Sequence, residues 1–291
     1  MISADAVQAE PTAVDGRRDS VLLISLDSCR YDTFRRARLR HLPQVGPLHK
    51  AQAPGNFTYA SHAAMWVGFT PGVASSRQSW LNPKMGRIFR LSNAGFARPG
   101  SHDVFTLEGA SIVEGFGRLG YRTIGTGAVG WFDARTPTGQ LLSQSFDRFW
   151  FSGAPWHLSQ QLTWIDAQLA DTPPEQPSFV FLNVGETHVP YWHEGADWPQ
   201  WPSPCVPFGG DRAKGERCSR RLSRQRQRRC LEWVDARLGP LLQRFAGGTV
   251  LVCADHGDCW GEDGLWEHGI SHWATLTVPL LLRVRGVPVG P

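Results

Sequence analysis

Residues 250–269 read VLVCADHGDCWGEDGLWEHG, and this stretch decides the fold. The apolar run VLVCA stops at Asp255-His256-Gly257. An acidic, glycine-rich loop follows, and then a second His-Gly, His268-Gly269. A buried strand that ends in a carboxylate and an imidazole offers two metal ligands at its carboxyl end. Open α/β sheets bind their ligands at that edge. Carboxylate with imidazole suits zinc, manganese or iron better than calcium. The plain alternative is a capped strand end followed by surface histidines.

Working outward, Val21 to Leu26 (VLLISL) is another continuous apolar run, as in a strand covered on both faces, and it ends at Asp27. Tyr121 to Thr126, Phe179 to Val184 (FVFLNV), Thr249 to Ala254 and Val278 to Val284 complete a set of five strands. The spacing predicts helices from Phe57 to Phe69, starting near Thr58, from Ile112 to Leu119, and from Leu158 to Leu169. Leu231, Val234, Leu238, Leu241 and Phe245 step by three and four, which predicts a long amphipathic helix ending near Gly247-Gly248. Strands alternating with helices give an α/β fold, a mostly parallel central sheet sandwiched by helices.

At 291 residues, with 41% hydrophobic side chains, the chain is near the upper size for one core. The expectation is a disordered leader over 1–19 and a single domain over 20–291. A segment rich in Trp, Pro and Gly at about 191–215 has no period and reads as a lid insertion. The net charge of +4 comes largely from Arg212 to Arg229, which excludes a broadly basic nucleic-acid binder. That run reads as a solvated helix face or as an attractor of anions. Six cysteines do not make a disulfide framework in a chain this long. Cys205, Cys218 and Cys230 are free thiols or, alternatively, a structural zinc site. The first twenty residues have no apolar core, and no apolar run is long enough to cross a membrane. A cytoplasmic protein with no membrane partner is expected.

Three strand ends carry candidate ligands: Asp27 in LDSCR, His188 with Glu186 in NVGETHVPY, and the Asp255-His256 pair. Each alone has a structural explanation, as a cap or a loop residue. Together they converge on one edge of a parallel sheet. A fourth element, APGNFTYASHAAMWVGFTPG at residues 53–72, turns at Pro54-Gly55-Asn56 and places Thr58 at a helix start. Threonine there is commonly an N-cap. Beside a metal and the positive end of a helix, its hydroxyl is instead a candidate nucleophile.

These segments, in the order LISLDSCRYD, NFTYASHAAMWVGFTPG, FLNVGETHVPY, CADHGDCWGEDGLWEHG and VPLLLRV, resemble the sulfatase-like branch of the alkaline phosphatase superfamily over roughly residues 20–285. The resemblance implies a helix-sandwiched sheet, one or two divalent metal ions (zinc or manganese) and group transfer through a covalent intermediate. By motif, Asp27, Asp255, His256 and Thr58 would hold one metal, with Thr58 as nucleophile. His188 and His268 would hold a second or contact the transferred group, with His272 behind them or, equally, at the surface. Asn56 or His62 would donate to the phosphoryl oxygens; His62, one helical turn after Thr58, would alternatively position Thr58's partner or serve packing. Glu186 would help complete the second site, since Val184 stands where related pyrophosphatases have Asp. Trp192, Trp198 and Trp201 would stack on an aromatic or nucleoside part of the substrate, or pack the lid.

Formylglycine sulfatases carry a C-x-P-x-R pattern. Thr58-Tyr59-Ala60-Ser61-His62 stands in its place, so sulfatase chemistry is not expected. The small C-terminal domain of sulfatases and the membrane spans of the transferases are expected to be absent. The expected function is hydrolysis of a small anionic phosphoric ester, a phosphodiester or phosphomonoester, through a phosphothreonine. A transferase or mutase using the same site, and a non-catalytic binding protein, are the alternatives.

Overall fold

The computed structural model describes residues 19–69, 107, 109–206 and 218–290. The leader up to residue 18, the lid from 207 to 215 and the first part of the arginine run lie outside the described residues. In chain order the elements are β1 (Val21–Leu26), α1 (Tyr31–Arg36), β2 (His49–Gln52), α2 (Thr58–Val67), α3 (Ile112–Arg118), β3 (Arg122–Gly127), α4 (Pro137–Ser143), β4 (Arg148–Phe151), α5 (Leu158–Ala170), β5 (Ser178–Val184), α6 (Arg220–Arg244), β6 (Thr249–Cys253), β7 (Cys259–Trp260), β8 (Trp266–Glu267), α7 (Trp273–Leu276), β9 (Thr277–Val284) and β10 (Val287–Pro288). Strands run β10-β9-β6-β1-β5-β3-β4 across one sheet, with β2 on β9. The five strands β6, β1, β5, β3 and β4 are parallel. β9 is antiparallel to β6, as are β2 and β10 to β9. The mostly parallel α/β sandwich read from the sequence is the observed architecture.

The period-two alternation of a strand assigns each face. Leu22, Ile24 and Leu26 of β1, Val180, Leu182 and Val184 of β5, and Val250 and Val252 of β6 pack into one cluster with Leu158 and Ile165 of α5 and Leu231, Val234, Leu238 and Leu241 of α6. The opposite face, with Val21, Leu23, Phe179 and Phe181, meets Tyr59 and Trp66 of α2, Val113 of α3 and Leu142 of α4. Each fully buried aliphatic or aromatic side chain stabilises the sandwich by about 1.5–3 kcal/mol. Following the alternation past the strand ends puts Asp27, Asn183 and Asp255 on the α2 face.

Register then brings two carboxylates together. Ser25 pairs with Cys253, so two residues on, Asp27 and Asp255 stand side by side. The antiparallel pairing of β2 with β9 leads the chain to α2, and Ala53 N–H donates to Leu276 O at 2.8 Å. Ser61 Oγ donates to Asp255 O at 2.7 Å, and Gly269 N–H to Asn56 O at 2.7 Å. These bonds fix the start of α2 over the ends of β1 and β6.

α6 starts at Arg220, eleven residues before the apolar period begins. Its first ten residues hold six arginines, whose long aliphatic stems suit a helix but give no apolar spacing to read. Arg220, Arg221, Arg224 and Arg228 are exposed, while Arg229 pairs with Asp197 at 2.8 Å and lies over Trp198. The described part of the lid, residues 191–206, is packed rather than free-standing. Tyr191 and Cys205 join Cys230 and Trp260 in a buried cluster, with Trp198 against it. No described helix is long and apolar enough to cross a membrane.

Candidate metal centre

Asp27, Asp255 and His256 are all fully buried, and each offers a ligand atom within 4.8 Å of the others. Thr58, the first residue of α2, joins them: its Oγ1 is 3.4 Å from both Asp27 Oδ2 and His256 Nε2. Phe57, not Thr58, is the helix N-cap, and it makes no side-chain cap. The threonine hydroxyl is therefore turned toward the acidic cluster rather than spent on the helix end.

Each carboxylate is aimed by its neighbours. Asn183 Nδ2 donates to Asp27 Oδ2 at 3.2 Å, and Asn183 Oδ1 is held by Ala128 N–H at 3.0 Å. Asp255 Oδ1 accepts the backbone N–H groups of His256 at 2.9 Å and Ser28 at 3.1 Å. Ser28 reaches that bond from a left-handed conformation, φ 59°, a strained state for a non-glycine residue. Asp255 Oδ2 is left buried with no hydrogen-bond partner, 3.6 Å from His256 Nε2.

Burial, and then the charge of Asp27, push the Asp255 carboxyl well above its ordinary value of 3.8. Two buried carboxylates side by side carry that penalty until a cation lies between them. Burial, reinforced by the charge of His268, lowers His256 to about 4, so its imidazole is neutral, the form that ligates metal. His256 Nδ1 lies 3.0 Å from Gly257 O, where a hydrogen bond to that carbonyl leaves Nε2 facing the cluster. The orphaned oxygen, the paired carboxylates and the freed imidazole nitrogen fit one divalent cation.

His256 also belongs to a second group, with Asp258 and His268. Asp258 Oδ1 and His268 Nδ1 are 2.7 Å apart. Burial alone would raise Asp258, but the hydrogen bond and charge of His268 outweigh it and hold the carboxyl below 3.8. Burial likewise opposes charge on His268, yet its bond to Asp258 prevails and raises it to about 9. The His268 ring is 4.5 Å from that of His256 and 5.1 Å from that of His188. His188 Nδ1 is occupied by Val189 O at 2.7 Å.

Other residues singled out from the sequence make their hydrogen bonds outside the cluster. His62 lies under it with both ring nitrogens engaged, Nδ1 with Thr58 O at 2.8 Å and Nε2 with Ser25 Oγ at 3.0 Å. Its ring meets Phe132, Phe181 and Trp66 edge-on, so it braces α2 on the sheet, and Nδ1 also lies 3.8 Å from Asp255 Oδ2. The Asn56 amide turns to Ser271 Oγ. Glu186 Oε1 accepts Leu158 N–H at the start of α5, and burial raises this carboxyl to about 8. Trp192 donates to Trp198 O and lies edge-on to Trp156 within the aromatic segment. His272 is the N-cap of α7, with Ala274 N–H on Nδ1 and Asp263 on Nε2. The three-cysteine zinc alternative fails, because no metal-compatible group among the described residues contains a cysteine. Burial holds Cys205 and Cys230 far above the ordinary thiol value.

Asp258, Asn183 and Tyr191 join the site without being singled out by the sequence patterns. Asp258 stands two residues after His256, a same-side spacing in extended chain. Asn183 is the lone amide in an apolar run. Tyr191 closes the NVGETHVPY stretch, but no spacing there points to a role for it.

No family model and no curated protein matches the sequence. Solved structures match its fold. The soluble domain of lipooligosaccharide phosphoethanolamine transferase A from Neisseria meningitidis superposes with a TM-score of 0.58 at 13% identity, over 95% of this chain and 79% of that one. The chain spans about half, 49%, of the full integral membrane protein from that organism. The periplasmic domain of EptC from Escherichia coli, solved in complex with Zn, gives 0.57 at 13% identity over 93% and 74%. The yidJ protein of Bacteroides fragilis, described as a candidate sulfatase, gives 0.59 at 14% identity over 96% and 70%. The chain has the fold of the sulfatase-like alkaline phosphatase superfamily.

Proposed function

We propose that the chain is a metal-dependent phosphoric-ester hydrolase with Thr58 as its nucleophile and one divalent cation, zinc or manganese, held by Asp27, Asp255, His256 and the Thr58 hydroxyl. One observation carries this reading: Thr58 Oγ1 is 3.4 Å from both Asp27 Oδ2 and His256 Nε2, beside an Asp255 oxygen with no partner. When bound, the cation acts as a Lewis acid on the phosphoryl oxygens and lowers the pKa of the hydroxyl it touches.

The chain's own residues do the rest. Thr58 Oγ1 forms a bond to phosphorus as the bond to the leaving alcohol breaks, and the threonine proton ends on that alcohol. Water then attacks the phosphothreonine, releases phosphate or a phosphomonoester, and returns the proton to Thr58. His268, oriented by Asp258, offers Nε2 to the transferred group, and His188 lies beside it. Asn183 keeps Asp27 aimed at the cation, and His62 holds the first turn of α2 in place. The zinc complex of a structural relative supports zinc as the first ion to test.

An alcohol in place of water would make the same site a transferase. Phosphoethanolamine transferases among the structural relatives favour keeping this second reading. The proposal includes a single catalytic domain over 20–291. A cytoplasmic setting accords with six free thiols.

The test is a panel of aryl phosphomonoesters and phosphodiesters, with and without alcohol acceptors, on protein loaded with zinc or manganese. Thr58→Ala is expected to keep the metal and lose turnover. Hydrolysis retained by Thr58→Ala would overturn the assignment. A folded, inactive wild type that takes up no metal would point instead to a binding protein.

A further inference from the structure

We infer that Tyr191 is a positioning residue that acts through Asp258 on His268, and that Asp258 belongs to this relay rather than to a second metal site. The inference rests on the phosphoryl-transfer reading for its kinetic part only.

The direction of the relay follows from donor and acceptor chemistry. Trp260 Nε1 is 2.9 Å from Tyr191 OH, and an indole N–H can only donate. The phenol oxygen therefore accepts there, and its own proton goes to Asp258 Oδ2 at 2.7 Å. Asp258 Oδ1 is left for His268 Nδ1–H at 2.7 Å. Both carboxylate oxygens are then in use. The orientation of the His268 ring is set, with Nδ1–H on Asp258 and Nε2 directed away from it. Arg30 Nη1 donates to Asp258 O at 2.9 Å and fixes the backbone of the same residue. Tyr191, Trp260 and Asp258 are fully buried, and Arg30 is 2% exposed.

The contrast with Asp255 separates the two clusters. Asp255 keeps one buried oxygen without a partner, as a metal ligand would. Asp258 keeps none, as the outer carboxylate of a carboxylate–imidazole pair would. Tyr191 also holds φ 55°, a conformation that a bulky residue keeps only where its surroundings impose it. The tyrosine begins the aromatic segment after His188, so it ties the position of that segment to the orientation of His268.

The experiment uses the full chain loaded with zinc. Wild type is expected to bind one equivalent. Tyr191→Phe is expected to keep that equivalent, lower kcat about 10-fold and leave KM within about twofold. In a His268→Ala background the same change is expected to cost nothing further, whereas a purely structural role would lower kcat equally in both backgrounds. Proton NMR adds a readout that needs no turnover. A downfield imidazole N–H resonance is expected in wild type, absent from His268→Ala and Asp258→Asn and shifted in Tyr191→Phe. If Tyr191→Phe does not fold, Trp260→Phe removes the indole donor and is expected to shift the same resonance. Additive kinetic losses, an unmoved resonance, or a second tightly bound zinc that Asp258→Asn releases would each overturn the inference. A wild type that hydrolyses no ester would sink the proposed function, while the resonance and the metal count would still decide the relay.

Discussion

Asp255→Asn tests whether the buried acidic cluster is a cation site. The amide keeps an oxygen for the N–H groups of Ser28 and His256 and replaces only the partnerless Oδ2. The fold is therefore expected to survive while the anionic ligand is lost. A cation that binds only the folded state stabilises it by about 2.7 kcal/mol at 100 Kd and about 4.1 kcal/mol at 1,000 Kd. For a chain of this size each kcal/mol moves Tm by about 2–4 °C. Saturating zinc should thus raise the wild-type Tm by about 5–16 °C over chelated protein, and Asp255→Asn should show little of that gain.

The pH dependence has a definite sign. The folded metal-free state holds the Asp255 proton above its ordinary value of 3.8. The stability linked to that proton is complete below about pH 4 and is lost as pH rises. The gap between chelated and zinc-loaded wild type should therefore widen toward pH 8, and chelated Asp255→Asn should be at least as stable there as chelated wild type. Differential scanning fluorimetry from pH 5 to 8, with zinc or chelator, reads all of this. An equal zinc-induced shift in wild type and variant, or none in wild type, would refute the reasoning.

His62→Ala should destabilise the protein by about 2–4 kcal/mol in urea denaturation, because it removes a buried ring and strands Ser25 Oγ; a loss of metal with unchanged stability would instead make His62 a ligand. Gly257→Ala should cost about 1–3 kcal/mol and lower turnover, since a Cβ there would stand 2.3 Å from Ala274 O and push the Asp255–Asp258 loop; unaltered Tm and kcat would contradict the close approach. Glu186 is raised from its ordinary 4.5 to about 8 by burial, so its contribution is full below pH 4.5 and lost as pH rises toward 8. Glu186→Gln should remove that slope, gaining on wild type across the interval by an upper bound of about 5 kcal/mol at about 1.4 kcal/mol per pH unit; parallel stability curves would count against a buried, protonated Glu186.

The sequence by itself determined the layered architecture and the strand ends that carry the chemistry. Uninterrupted apolar runs mean strands covered on both faces, and Asp27 and Asp255 mark where two of them leave the core. It also determined the helix that begins at Thr58, through the turn before it. It left β2, β4, β7, β8, β10, the short helices α1, α4 and α7 and the first eleven residues of α6 unmarked, because strands of two to four residues, one- or two-turn helices and arginine-rich turns are too short or too polar to show an apolar period. Only the tertiary structure decided which polar residues meet. Register and alternation put Asp27, Asn183 and Asp255 on the α2 face. The fold of the glycine-rich loop turned Asp258 inward to His268 and sent His272 to cap α7. Hydrogen-bond partners from segments far apart in the chain separate these cases: a polar residue in a loop has no period to betray where it points, and its role is set by what the packed chain brings within 3 Å of it.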